Sequence, residues 1–165
     1  MLLPLLFAVF LHECGHIVFL LLTGGKLQGI RFGFFGITLN AEYPPSYFSK
    51  ILISLGGPMI GILCFFLFHH AQGELFLFAE ISLALSLFNL LPIGSLDGGS
   101  ALEAFFLTFL PYERAIGISR SLSFITATLL WCLAVYLFLF LNGSASLFFL
   151  SLWFFFSLLF SKKKN

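Results

Sequence analysis

The sequence predicts an all-α multi-pass membrane protein of about five transmembrane helices, one of them broken between Pro92 and Asp97, plus a small β-hairpin. Three observations carry that prediction. Of the 165 residues, eight are Lys or Arg and seven are Asp or Glu, so 9% are charged against 60% hydrophobic. Soluble domains run at about 25% charged and 45–50% apolar, and a mean hydropathy of +1.08 leaves too little polar surface to meet water. Apolar runs close to the length of a bilayer crossing recur along the chain, and Pro and Gly interrupt one of them. The composition excludes a soluble globular enzyme, a disordered chain and a basic nucleic-acid binder, so the expected surroundings are lipid and not nucleic acid.

A bilayer core of about 30 Å needs roughly 20 apolar residues as helix. Residues 2–23 supply the first such run, interrupted only by His12, Glu13 and His16. It opens without Lys or Arg and stays apolar to about Leu22, which suits a span better than a cleavable signal. Gly24-Gly25 ends it. Across residues 26–43, Ile30, Phe32 and Phe34 alternate with Arg31 and Gly33, and Ile37, Leu39 and Ala41 resume the pattern after Gly36. Period-two alternation around a central glycine predicts the short β-hairpin.

The second span is expected over residues 47–68. Its Gly56-Gly57-Pro58, with Gly61 four residues after Gly57, reads as a close helix–helix contact. The third runs from Glu74 towards Pro92, and the last two cover about 116–141 and 145–160, separated by the turn Asn142-Gly143-Ser144. Residues 98–110 are apolar but too few to span alone. If the chain unwinds at Pro92 and restarts at Asp97, they form the inner half of a broken helix, about 20 Å long at 1.5 Å per residue. The whole chain, 1–165, is expected to be one membrane domain, with a catalytic core over about 1–110 and C-terminal helices over about 116–161. Cys14, Cys64 and Cys132 lie in apolar runs without a C-x-x-C spacing, and each reads as a small buried hydrophobe.

Charge placement orients the chain. With five alternating spans, Lys26, Arg31, Lys50, Arg114, Arg120, Lys162, Lys163 and Lys164 all fall on or beside one face, and none falls in the turns around 69–73 and 142–144. That face is therefore expected to be cytoplasmic, with the C-terminus inside.

His12-Glu13-Cys14-Gly15-His16 is an H-E-x-x-H motif. Residues i and i+4 share one helix face, so both imidazoles can converge on a single zinc ion, and Glu13 can take a proton from water beside it. Two histidines packed between helices would be the plain alternative, but an acidic residue in mid-membrane costs about 2.5–3.5 kcal/mol and needs a reason. A catalytic zinc takes three protein ligands. The remaining candidates are Asp97, Glu103, Glu80 and the pair His69-His70. The histidine pair belongs to the outer turn, and Glu80 lies near the outer end of the third span. Asp97 sits among Pro92, Gly94, Gly98 and Gly99, where broken helix is tolerated only inside protein or beside a wet cavity. It would lie level with His16, and Glu103 nearly two turns lower; Asp97 is the expected third ligand.

The H-E-x-x-H in an apolar helix, followed by Asn89-Leu90-Leu91-Pro92-Ile93 and Leu96-Asp97-Gly98-Gly99, resembles the site-2 protease family of intramembrane zinc metalloproteases. The wording looks most like its sporulation (stage IV) branch. Gly57-Pro58 is similar to that family's small-Gly-Pro motif, and residues 26–43 occupy the place of its membrane-re-entrant β-hairpin. The resemblance covers roughly residues 5–110. It implies one zinc per chain held by His12, His16 and Asp97, Glu13 as general base, and Asn89 binding substrate backbone or the oxyanion. It also implies a bacterial cell membrane and a membrane-associated protein substrate, by analogy the precursor of a transcription factor cut on the cytoplasmic side. The family usually places a helix before the H-E-x-x-H helix, whereas here the motif begins at residue 12, and no PDZ-like or CBS-like module is visible. Any control is expected to come from regulatory membrane proteins. The rival readings are a membrane zinc protease with a glutamate ligand acting on soluble peptides, and a non-enzymatic metal transporter or scaffold.

Overall fold

A computed structural model describes residues 2–33, 36–42 and 46–140, together with 149, 151–153 and 155. The order is α1 (Leu2–Leu22), β1 (Lys26–Gly33), β2 (Gly36–Glu42), α2 (Tyr47–Phe68), α3 (Glu74–Asn89), α4 (Asp97–Phe109) and α5 (Tyr112–Phe140). By length and composition, three described helices can cross a membrane: α1, α2 and α5. Three of the about five expected spans are therefore supported among the described residues. The third apolar run unwinds at Asn89, so α3 keeps 16 residues, about 24 Å at helical rise. The expected last span, 145–160, its turn at 142–144 and the three terminal lysines lie largely outside the described residues.

Gly24 closes α1 with a φ of +84°, and the Gly25 N–H bonds back to the Leu20 carbonyl at 2.9 Å. This left-handed glycine cap satisfies carbonyls that the helix end would leave open. β1 and β2 then pair antiparallel, Lys26 opposite Glu42 and Gly33 opposite Gly36, with a register shift between Leu27 and Gly29. No third strand joins them among the described residues, so they form a two-stranded ribbon.

α2 is the hub, packing against α1, α3 and α4, while α5 rests on α4. The contacts are made by small side chains. Gly61 of α2 meets the Ser82 carbonyl and the Ser86 hydroxyl of α3, and Ala115, Ser119, Ser123 and Ala127 form the buried stripe of α5. In lipid, where burying apolar surface gains little, such close approach is what holds helices together. The buried serines satisfy themselves by donating to carbonyls four residues earlier, as Ser82 does to Phe78 and Ser123 to Ser119. Large apolar groups such as Leu3, Phe10, Leu22 and Leu129 point outward. Of the cysteines, Cys64 is buried and Cys14 half-buried, but Cys132 is exposed on α5; an apolar run cannot tell a lipid-facing position from a packed one.

Between α3 and α4 the chain folds tightly on itself. Leu96 N–H bonds to the Ile93 carbonyl and Ser100 N–H to the Leu96 carbonyl. A Cβ on Gly98 would strike the Leu90 carbonyl, and one on Gly99 the Ile93 carbonyl. Those two glycines let the 90–94 backbone cross the first turn of α4. Ile93, fully buried, packs with Ala127 of α5 and anchors the crossing.

Candidate metal centre

His12 and His16 lie one turn apart on α1, with their Nε2 atoms 3.3 Å from each other. Asp97 is the first residue of α4, and its Oδ2 lies 3.0 Å from His12 Nε2 and 3.3 Å from His16 Nε2. Three donor atoms, contributed from residues 85 apart, thus form a nearly equilateral triangle. His12 is buried, and His16 and Asp97 are half-buried.

The triangle fits a metal ion. Zinc bonds of about 2.0–2.2 Å in tetrahedral geometry put neighbouring ligand atoms about 3.3–3.6 Å apart, close to the edges observed. Hydrogen bonding alone accounts for it less well. One Nε2–H can donate to Asp97, but two ring nitrogens facing each other share one N–H at most. The donor set of two imidazoles and one carboxylate suits zinc among the divalent ions.

The geometry around the triangle also fixes the rings. His16 Nδ1–H donates to the Ile53 carbonyl of α2 at 2.8 Å, which leaves the Nε2 lone pair directed at the centre. His12 Nδ1 is buried with no hydrogen-bond partner among the described residues. α1 and α2 come this close because Gly15 and Gly56 face each other. The Gly56-Gly57 pattern marks packing but not the Ile53 carbonyl, since a backbone acceptor leaves no trace in residue types. The proline of Gly57-Pro58 was the one available signal that this stretch of helix is unusual.

Glu13, the next residue around α1, is half-buried and near enough to His12, His16 and Asp97 to feel their charges. It makes no hydrogen bond among the described residues, so its carboxylate is available. Asn89 ends α3 and donates its Nδ2–H to the Leu85 carbonyl at 3.0 Å. Among the described residues it makes no hydrogen bond to the triangle. The other candidates lie apart from the centre. Glu103 pairs with Lys50 at 3.3 Å, Glu80 is exposed on α3, and the rings of His69 and His70 lie 3.6 Å apart, tilted by 47°, just past the end of α2.

The profile of the Peptidase M50B-like family matches residues 2–110, the stretch that runs from α1 through α4. Among solved structures, the site-2 protease from Methanocaldococcus jannaschii is similar, with a TM-score of 0.65 and 24% identity. The match covers 94% of this chain and 74% of that one. At that identity the likeness is one of fold. No curated protein sequence matches the chain.

Proposed function

Because the chain belongs to the Peptidase M50B-like family, and is thus an integral-membrane metalloprotease, we propose that it uses one zinc ion to cut a membrane-associated protein in the cytoplasmic half of the bilayer. The observation that carries the zinc reading is the His12–His16–Asp97 triangle with edges of 3.0–3.3 Å. Zinc held there would supply Lewis acidity, polarising a carbonyl and acidifying water.

The chain's own residues do the rest. His12, His16 and Asp97 hold the ion, and the Ile53 carbonyl keeps His16 in the ligating tautomer. Glu13 takes the proton from the attacking water and returns it to the leaving amine. Asn89 keeps one Nδ2–H beyond its bond to Leu85, and that N–H donates to the carbonyl oxygen as it becomes anionic. A helical substrate hides its peptide bonds, so it must unwind before it can be cut. An outer edge of the β1–β2 ribbon, which re-enters the membrane in this reading, holds the unwound segment as an added strand.

Lys26, Lys50, Arg114 and Arg120 favour a cytoplasmic face at the end of the molecule where α2 and α5 begin, and a further span over residues 145–160 would bring the C-terminus back to it. The run from Asn89 to Gly99 supports a sporulation-type protease of a bacterial cell membrane, with a transcription-factor precursor as substrate and membrane proteins as regulators. The deciding measurement is zinc content of the purified chain against His12→Ala. One equivalent lost on substitution is expected; a wild-type chain without zinc would sink the reading.

A further inference from the structure

We propose that Gly57 is a positioning residue of the metal seat, its missing side chain leaving the room in which His12 and His16 present Nε2. The inference rests on the zinc reading above. A Cβ built on Gly57 would lie 2.7 Å from His12 Nε2 and 2.8 Å from His16 Cε1, with His16 Nε2 nearer still. Carbon and nitrogen atoms in ordinary contact sit about 3.5 Å apart, so a methyl there displaces both ring nitrogens. Metal sites hold their distances to about 0.2 Å. A displacement of several tenths of an ångström breaks the triangle.

Neither ring has an easy way out. His16 cannot swing aside without giving up its 2.8 Å hydrogen bond to Ile53, and His12 is buried between helices. Ile53 and Gly57 are themselves i and i+4, on one face of α2. That face therefore serves the ligands twice. Its carbonyl at 53 aims one imidazole, and its bare Cα at 57 gives both their space.

The neighbouring glycines act otherwise. Gly15 and Gly56 abut each other's backbone, and Gly61 abuts Ser82 and Ser86. Among the described glycines, Gly57 alone has the ligating nitrogens as its nearest neighbours. Alanine is also a better helix former than glycine, so Gly57→Ala does not weaken α2 itself.

The test uses the full chain purified in detergent and stripped of metal, comparing wild type, Gly57→Ala and Gly56→Ala. The readouts are unfolding of the metal-free protein, zinc affinity by titration, and the visible spectrum with Co2+, which absorbs strongly in four-coordinate sites. Metal-free Gly57→Ala is expected to unfold with wild type while binding zinc about 100-fold more weakly and losing the Co2+ bands. Wild-type zinc affinity with an unchanged Co2+ spectrum would overturn the inference and leave the zinc reading intact. Unfolding of the metal-free variant alongside Gly56→Ala would overturn it too, returning Gly57 to the packing glycines. A wild-type chain that binds neither metal overturns both.

Discussion

Gly15 of α1 and Gly56 of α2 touch back to back: a Cβ on Gly15 would lie 2.5 Å from the Gly56 carbonyl oxygen, and one on Gly56 2.7 Å from the Gly15 oxygen. Neither backbone can yield without moving its helix. The contact sits between His12 and His16 in sequence, so the distance that lets the helices meet also lets the His16 ring reach Ile53. Gly15→Ala is expected to separate α1 from α2 and cost about 1–3 kcal/mol, the usual range for overpacking. Equilibrium unfolding in mixed micelles measures this, and an unchanged midpoint would show that the contact carries no such load.

Glu13→Gln separates binding from chemistry. The amide cannot accept the proton from water, but it leaves His12, His16 and Asp97 untouched. Zinc content is expected to stay at one equivalent while cleavage of a membrane-embedded reporter falls by about 10²–10⁴-fold. Cleavage at the wild-type rate would remove Glu13 from the role of base.

Asp97→Ala is expected to lose zinc, and Glu80→Gln and Glu103→Gln to keep it. Glu103 is engaged by Lys50 at a part-exposed pair, so its replacement costs at most about 1 kcal/mol. Metal analysis of the three variants side by side decides the third ligand. Zinc retained by Asp97→Ala and lost by either glutamine variant would reverse the assignment.

Gly99→Ala tests the crossing that carries Asp97. Its methyl would strike the Ile93 carbonyl, push the 90–94 backbone away from α4 and shift the carboxylate two residues earlier. A loss of about 1–3 kcal/mol in stability is expected together with weaker zinc binding. Stability lost at full zinc affinity would show that Asp97 is placed independently of the crossing.

Zinc removal links the two halves of the fold. An ion that binds only the folded chain adds about 2.7 kcal/mol at a free concentration 100 times its Kd. A chelator is expected to lower the thermal midpoint, and restored zinc to raise it again, with no such shift in His12→Ala.

Much of this arrangement was legible in the residues. The second apolar run, 47–68, coincides with α2, and the half-helix expected over 98–110 is α4, Asp97–Phe109. Both are bounded by prolines or glycines, which mark helix ends strongly. α5 begins a turn before the expected residue 116 because Tyr112-Glu113-Arg114 is polar helix, invisible to a search for apolar runs. The convergence of His12, His16 and Asp97 followed from spacing and depth. The close contact at Gly56 was legible too, but pattern could not reveal the work of backbone atoms: the Ile53 carbonyl, Gly15 as the partner of Gly56, and the crossing over Gly98 and Gly99. A residue alphabet records side chains, and these features depend on where side chains are missing.

The distance along the chain between His16 and Asp97 bears on how such a protein is made. A nascent chain that has inserted only α1 and α2 already carries both imidazoles and Glu13, yet it lacks the carboxylate that closes the triangle. In the proposed reading, cutting power would arrive only after α3 has turned at Asn89 and α4 has docked against α2. The order in which its parts emerge would then shield the membrane from a half-built protease during biogenesis.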